Sequence, residues 1–167
     1  MTAATEGPHG IVLLETELVE RVRADRAAGL TFSFANGCFD VLHAGHLRYL
    51  VGSAAEADRL IVAINDDASV SALKGQDRPI QAAVDRANLI AALRMVDYVV
   101  VFSDLTVDRL LTRLTPEVHC KGSDYTAESV PEREVVRAYG GRTVIVGDSK
   151  DHSTRDVIAR IRNRGGA

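Results

Sequence analysis

The sequence predicts an α/β protein with a doubly wound, Rossmann-like, five-stranded parallel sheet and helices on both faces. Short apolar runs rich in Val, Ile and Leu alternate along the chain with amphipathic segments of helical period. The apolar runs are nearly continuous, as expected of parallel strands that are buried on both faces. The 167 residues contain no internal repeat or linker, so we expect a single domain over residues 1–167, with residues 1–10 as a flexible tail.

The predicted elements alternate between helix and strand. The first helix is expected over residues 16–28, and Gly29 provides its stop. The predicted strands cover residues 30–35, 59–64, 96–102, 117–121 and 142–146. The other predicted helices run from the histidines at 43–46 to about 57, and over 82–93, 107–114, 131–139 and 155–162. Residues 65–81 are polar and are expected to form a long functional or mobile loop, and Thr106 is expected to cap the next helix.

Composition excludes several classes of function. The formal net charge of −3 does not favour binding to nucleic acid or to an anionic membrane. No apolar run approaches the roughly 20 residues that span a bilayer. The first ten residues lack the features of a secretion signal. We therefore expect a cytoplasmic protein in which Cys38 and Cys120 are reduced thiols, because their spacing suits no metal site.

Polar clusters follow four of the predicted strands, at the point where each strand ends. These clusters are residues 36–46, 66–78, 121–125 and 148–154. Ligands of open parallel sheets bind beyond the carboxyl ends of the strands. The order of the elements therefore predicts that the clusters meet at one edge of the sheet and form a common site.

The first cluster carries two histidines, His43 and His46, at the start of a helix. Unpaired backbone N–H groups at a helix start bind anions, and Gly45 lets a phosphate approach the backbone. Imidazoles can donate hydrogen bonds to phosphate oxygens. A zinc pair is an alternative, but it needs further ligands nearby. A second alternative is that one imidazole has only a structural role and caps the helix. The fingerprints of a P-loop and of a dinucleotide-binding fold are both missing.

The segment Asn36-Gly-Cys-Phe-Asp-Val-Leu-His-Ala-Gly-His46 resembles the signature of the cytidylyltransferase-like nucleotidyltransferases. Within that superfamily the chain is most similar to the adenylyltransferases of bacterial ADP-heptose synthesis. The further segments that carry the likeness are residues 60–69, 73–75, 78–79, 96–99, 121–125, 140–141 and 153–154, together with Arg86.

This resemblance implies a reaction. A sugar 1-phosphate oxygen attacks the α-phosphorus of a nucleoside triphosphate, and pyrophosphate leaves. The expected substrates are ATP and D-glycero-β-D-manno-heptose 1-phosphate, and the product is ADP-heptose. Mg²⁺ is expected to be held mainly through the triphosphate and water. One alternative is a cytidylyltransferase that acts on glycerol 3-phosphate or another polyol phosphate. Another is a nucleotide-binding regulatory protein without catalysis.

The resemblance also implies roles for particular residues. The catalytic residues are expected to be His43, His46 and Lys121. The nucleotide-binding residues are expected to be Asn36, Gly37, Cys38, Phe39, Asp40, Gly45, Lys74, Arg86, Ser153 and Thr154. The substrate-binding residues are expected to be Asp66, Lys121 and Asp124, and no protein metal site is expected.

Simpler roles stay open for several of these residues. Lys74 could be a solvated lysine, and Arg86 could cover the face of a helix. Asp40 could pair with a loop N–H, and the pair Ser153-Thr154 could only cap its helix. Arg155 stands where relatives often carry a second threonine, and it could serve the triphosphate or point into solvent.

The resemblance also suggests partners. In many bacteria the heptose adenylyltransferase is fused to a sugar kinase, and 167 residues leave no room for one. We therefore expect a separate heptose kinase in the same pathway, and we expect a homodimer.

Overall fold

The computed structural model describes residues 10–147 and 154–164, which form an all-parallel sheet of six strands with helices on both faces. The strands are β1 Ile11–Leu13, β2 Phe32–Gly37, β3 Arg59–Asn65, β4 Tyr98–Phe102, β5 Val118–Gly122 and β6 Arg142–Val146. The helices are α1 Glu15–Ala27, α2 Ala44–Ala54, α3 Asp67–Lys74, α4 Ala83–Ala91, α5 Asp108–Leu114, α6 Arg133–Ala138 and α7 Thr154–Arg164. The predicted fold class is confirmed.

The number of strands was predicted incorrectly, because β1 precedes the five that the sequence indicated. This strand has three residues and pairs in parallel with β4, Ile11 opposite Tyr98 and Leu13 opposite Val100. Three residues are too few to show a period of their own. The strand exists because the edge of β4 offers it backbone partners, which is a tertiary effect.

The predicted loop over residues 65–81 also needs correction, since it contains helix α3. The Asp66 carboxylate accepts a hydrogen bond from the Ser69 backbone N–H at 2.7 Å and caps this helix. The predicted cap at Thr106 is wrong as well. Helix α5 has the buried Val107 at its N-cap position, and the Thr106 hydroxyl donates to the Asp108 carboxylate at 3.2 Å.

The sheet buries both of its faces, because neighbouring strand residues point to opposite sides. One face of the sheet packs against α1, α5 and α6, and the other packs against α2 and α4. The first core contains Phe32, Phe34, Ile61, Ala63, Val100, Leu110, Leu111 and Val136. The second contains Ala35, Leu50, Leu60, Val62, Ile64, Ala87, Ile90 and Val99. Both cores thus combine alternate residues of the same central strands.

The strand order β1-β4-β3-β2-β5-β6 locates the site. From β2 the chain adds β3 and then β4 on one side, and it then returns to add β5 and β6 on the other side of β2. The connections that leave β2 and β5 therefore diverge. Such a reversal opens a crevice at the carboxyl ends of the two strands, where ligands of this architecture bind.

Candidate active site

The loop between β2 and α2 has an unusual backbone. Phe39 and Val41 adopt left-handed conformations, with φ of 48° and 61°. This conformation is costly for a β-branched residue such as Val and persists only where surrounding contacts impose it. The Phe39 ring also packs over Gly37, where an added Cβ would lie 3.2 Å from a ring carbon.

The contacts that hold this loop converge on Asp40, whose side chain is almost fully buried. Its carboxylate accepts hydrogen bonds from the backbone N–H of Ile80 at 2.9 Å and of Gln81 at 3.0 Å. Arg78 donates from Nε at 2.6 Å. Burial alone raises the pKa of Asp40, but these three donors outweigh it and hold the pKa below the ordinary value. Asp40 therefore fastens the loop to residues 78–81.

The two histidines stand where α2 begins. His43 occupies the N-cap position, and the imidazoles of His43 and His46 are stacked with ring centroids 3.8 Å apart. Burial, and then the charge of His43, lower the pKa of His46 to about 4, so this imidazole is neutral at pH 7. His46 Nδ1 is buried and finds no hydrogen-bond partner among the described residues. The neutral imidazole of His46 and the unpaired N–H groups of α2 form a surface suited to a phosphate.

A second helix start reaches the same loop. The Thr154 hydroxyl, on the first residue of α7, donates a hydrogen bond to the Asp40 carbonyl oxygen at 3.0 Å. The N-termini of α2 and α7 therefore lie beside one loop, and their dipoles both favour an anion there. Ser153 and the side chain of Arg155 lie outside the described residues.

Beside this loop, the carboxyl end of β5 carries a buried cation. Ala35 pairs with Cys120 in the parallel ladder, which brings the next residues, Asn36 and Lys121, together. Lys121 Nζ lies 3.1 Å from Asn36 Oδ1 and 3.0 Å from Glu132 Oε1. The lysine side chain is only 9% exposed, so the carboxylate supplies the anion that its burial requires.

Two members of this group were not expected from the sequence. His119 is fully buried, and its Nε2 lies 3.1 Å from Asn36 Oδ1. Burial, and then the charge of Lys121, lower the pKa of His119 to about 3, so its neutral ring donates to the Asn36 amide oxygen. His119 could have been found from the sequence, because it stands two residues before Lys121 and residues two apart in a strand point to the same side. For Glu132, no local signal exists.

Cys38 and Lys74 belong to the surroundings of the same loop. Cys38 Sγ donates to Asn65 Oδ1 at 3.8 Å, and burial raises the pKa of the Cys38 thiol. The positive charges of Lys74, Arg86 and Arg78 oppose that rise, so all three cations lie near Cys38. Lys74 is exposed at the last turn of α3, where a lysine can move toward a ligand.

Arg86 and Asp66 are engaged by the protein itself. Arg86 is fully buried, and its guanidinium donates to the carbonyl oxygens of Gln81 and Cys38 and to the Asp67 carboxylate. In this arrangement Arg86 joins three segments of chain, and Asp66 caps α3. Asp124 is exposed in the turn that follows β5. The predicted residues that form the end of β2 and the loop after it are Asn36, Gly37, Cys38, Phe39 and Asp40. The predicted residues brought to that loop or to its end are His43, Gly45, His46, Lys121 and Thr154.

The model of one protein family, described as cytidylyltransferase-like, matches residues 34–161, from the middle of β2 into α7. The chain belongs to the cytidylyltransferase-like family. Among curated proteins, this member is 46% identical over 159 residues to the Bifunctional protein HldE of Ectopseudomonas mendocina (strain ymp), a match that covers 95% of this chain and 34% of that protein. It is 48% identical over 150 residues to the Bifunctional protein HldE of Rhodopseudomonas palustris (strain BisB18), covering 90% of this chain and 30% of that protein.

One solved structure is similar to this cytidylyltransferase-like chain. It is the lipopolysaccharide core biosynthesis protein from Thermoplasma volcanium GSS1, with a TM-score of 0.60 and 25% sequence identity. The superposition covers 73% of this chain and 100% of that one. The chain spans about a third of the length of the curated relatives it matches. The family resemblance inferred from the motif around His43 and His46 is therefore confirmed.

Two further features of this cytidylyltransferase-like chain concern metal ions and membranes. Within residues 10–147 and 154–164, no group of three or more His, Cys, Asp or Glu side chains is arranged to hold a metal ion. None of the helices in those ranges combines the length and the apolar character needed to cross a membrane.

Proposed function

We propose that this protein transfers the adenylyl group of ATP to D-glycero-β-D-manno-heptose 1-phosphate, forming ADP-heptose and pyrophosphate. The observation that carries the proposal is the hydrogen bond from Thr154 to the Asp40 carbonyl oxygen, because it joins two helix N-termini at the loop that bears His43 and His46. Such an arrangement suits a polyphosphate rather than a single phosphate. Membership of the cytidylyltransferase-like family supports nucleotidyl transfer.

The proposed reaction is a single displacement. An oxygen of the acceptor phosphate forms a bond to the α-phosphorus, and the bond from that phosphorus to the bridging oxygen of the β-phosphate breaks. Pyrophosphate leaves with the electron pair. No covalent bond to the protein is formed, so catalysis consists of positioning the reactants and stabilising charge.

Each part of the site has a task in this scheme. The N–H groups of α2 and α7 bind the triphosphate, with Thr154 at the β- and γ-phosphates. His46 is neutral before the substrate arrives, and it donates a hydrogen bond to the oxygens that gain charge in the transition state. Lys121 binds the acceptor phosphate, and Lys74 approaches the triphosphate from the exposed end of α3.

A Mg²⁺ ion would be bound here through oxygens of the triphosphate, and it would neutralise part of the phosphate charge. The nearby carboxylates already have protein donors. Asp40 accepts from Arg78, Asp66 accepts from the Ser69 backbone N–H, and Asp67 pairs with Arg86 at 2.7 Å. This arrangement supports a metal bound chiefly by phosphate oxygens and water, as is common for Mg²⁺.

The test is a pyrophosphate-release assay that crosses ATP, CTP, GTP and UTP with heptose 1-phosphate, glycerol 3-phosphate and other sugar phosphates. We expect turnover with ATP and D-glycero-β-D-manno-heptose 1-phosphate. Turnover only with CTP and glycerol 3-phosphate would overturn the proposed specificity and favour a cytidylyltransferase. Nucleotide binding without turnover for any pair would favour the regulatory alternative.

We also propose that the protein acts in the cytoplasm as a homodimer and receives its substrate from a separate sugar kinase. The apolar side chains of Leu47 and Val51 support self-association, because they lie one turn apart on α2 and are 44% and 50% exposed. Light scattering after size-exclusion chromatography measures the mass in solution. A mass of one chain at all concentrations would contradict the dimer.

A further inference from the structure

A buried polar group lies at the carboxyl end of β5, and we call it the Lys121 cluster. Its members are Lys121, Glu132, Asn36 and His119. Lys121 Nζ donates to Glu132 Oε1 at 3.0 Å and to Asn36 Oδ1 at 3.1 Å, and His119 Nε2 lies 3.1 Å from the same amide oxygen. The side chains of Lys121 and Glu132 are each 9% exposed, so solvent screens this ion pair little.

The charges of the cluster cancel. Lys121 carries one positive charge and Glu132 one negative charge, while His119 is neutral because burial and the neighbouring ammonium lower its pKa to about 3. Asn36 offers its amide oxygen to both donors. A phosphate that approaches Lys121 therefore meets an ammonium whose charge is already balanced by a carboxylate.

The ion pair is also incompletely satisfied. Glu132 Oε2 is buried and has no hydrogen-bond partner among the described residues. A buried carboxylate with one unpaired oxygen adds little to stability, because the free energy lost with its hydration is only partly offset by the ion pair. Glu132 stands at the N-cap position of α6 but makes no side-chain capping bond there. The Glu132 carboxylate instead accepts from Lys121, so it acts on the charge of that lysine.

We propose that Glu132 is a built-in counter-ion, which neutralises Lys121 while the site is empty and lowers the affinity of Lys121 for the acceptor phosphate. The ammonium has three N–H donors, and two of them point to Glu132 and Asn36. Nζ also lies 5.4 Å from the centroid of the Tyr125 ring. In the proposal the third N–H binds a phosphate oxygen, and the negative charge of Glu132 then lies close to the bound phosphate. Glu132 therefore weakens binding of the acceptor and eases the release of product. This inference rests on the proposed role of Lys121 as the acceptor-phosphate ligand.

The test compares Glu132→Gln with the wild-type protein. Glutamine keeps the size of the side chain and an oxygen that accepts from Lys121, but it removes the charge. We expect the variant to bind inorganic phosphate at least about fivefold more tightly in calorimetric titrations, because close charges interact strongly in a buried site. We expect the KM for the sugar phosphate to fall by a similar factor, while kcat does not rise.

Two control variants separate charge from other effects. Glu134→Gln makes the same change in net charge two residues away, on a largely exposed side chain paired with Arg137. It should bind phosphate as the wild type does. Glu132→Asp keeps the charge and should also stay within about twofold of the wild type. Equal phosphate affinity in the wild type and in Glu132→Gln would overturn the proposal.

Inorganic phosphate could also bind the triphosphate part of the site, so the origin of the effect must be located. In a Lys121→Met background, Glu132→Gln should no longer change the phosphate affinity. A tighter affinity that persists without Lys121 would contradict the proposal. Glu132→Gln could be unfolded in the absence of ligand. In that case phosphate should refold it at concentrations too low to raise the stability of Glu134→Gln. Failure of phosphate to refold Glu132→Gln would count against the counter-ion role.

These measurements are independent of the proposed reaction, because phosphate binding needs no turnover. If the wild type catalyses adenylyl transfer but Glu132→Gln leaves phosphate affinity unchanged, only the counter-ion role fails. If no nucleotide and sugar phosphate pair reacts, the proposed function fails, and the phosphate titrations still test Glu132.

Discussion

The candidate site joins two regions that offer different groups to an anion. The β2–α2 loop offers backbone N–H groups and the neutral imidazole of His46, and its left-handed Phe39 and Val41 are held in place by contacts from outside. The end of β5 offers a full positive charge, which a buried carboxylate balances. The first region is shaped by a strained loop, and the second by the regular pairing of two strands.

This difference suggests a division of labour. A helix N-terminus carries only a partial charge but presents several donors over a wide surface, which suits a triphosphate. A buried ammonium is a point charge with few donors, which suits one phosphate group. The loop also depends on distant segments that hold it, whereas the end of β5 is positioned by the sheet. Substitutions in the two regions should therefore differ in how they change stability and activity.

The largest expected effect comes from Lys121. Lys121→Ala leaves Glu132 buried and without its partner, so we expect the free energy of unfolding to fall by about 3–5 kcal/mol, together with a loss of turnover. The double variant Lys121→Met with Glu132→Leu removes both charges and should recover most of that stability without recovering activity. Urea unfolding and pyrophosphate release measure the two effects. A double variant that regains turnover would remove Lys121 from the mechanism.

The next effect tests the imidazole side of the comparison. His46→Ala should lower kcat at least about 100-fold, because it removes one donor to the transition state. The fold should persist, since no charged partner is left buried. Leu89→Ala truncates an exposed apolar side chain on another helix, α4, and should keep kcat within about twofold. Near-normal turnover in a folded His46→Ala variant would show that this imidazole is not needed.

A smaller effect tests how the loop is held. Asp40→Asn loses the ion pair with Arg78 and weakens the bonds from the N–H groups of Ile80 and Gln81, so we expect a loss of about 2 kcal/mol in stability. Asp77→Asn, an exposed change in the same segment, should have no measurable effect. Urea unfolding at pH 7 measures both variants. A loss no larger than that of Asp77→Asn would mean that Asp40 does not fasten the loop.

The stability that Asp40 contributes should also depend on pH. Because the folded-state pKa lies below the ordinary value of 3.8, this stability is present above about pH 4 and is lost as the pH falls through the folded-state pKa. On acidification below about pH 4, Asp40→Asn should therefore lose less stability than the wild type does. Identical losses in the two proteins would contradict the assigned contacts.

The smallest effect concerns the second helix start. Thr154→Val removes the hydrogen bond to the Asp40 carbonyl oxygen, which costs about 1 kcal/mol. We expect the KM for the nucleotide to rise about fivefold, in line with that energy, with little change in the KM for the sugar phosphate. Thr112→Val removes a hydroxyl that donates to the Asp108 carbonyl oxygen within α5, and it should leave both constants unchanged. Equal increases in both KM values would indicate a general loosening of the site.

Much of the fold could be predicted because its signals are local. Five strands and six helices have runs of apolar residues or helical periods long enough to recognise, and the position of the loop after β2 followed from their order. Strand β1 was missed because three residues carry no period. Helix α3 was missed because its polar sequence resembles a loop, and it is the Asp66 cap that shows where it starts.

The site divides along the same line. His43, His46 and Lys121 were identifiable because their residue types stand at strand ends and at a helix start. The partners that set their properties come from far along the chain, since Lys121 meets Asn36 across 85 positions and Thr154 meets Asp40 across 114. Arg86 belongs to this group too, because only the packing around it shows that its guanidinium is fully buried.

By itself, the sequence determined the order of five strands and six helices, the loop with its two histidines and the sheet edge at which the predicted site residues meet. These features depend on periodicity and on residues close together in the chain. Only the tertiary structure decided that Glu132 balances Lys121, that His119 holds Asn36 and that Asp40 and Thr154 lock the loop. The physical reason is that a buried charge takes its partner from whatever segments the fold packs beside it, and no local pattern records that choice.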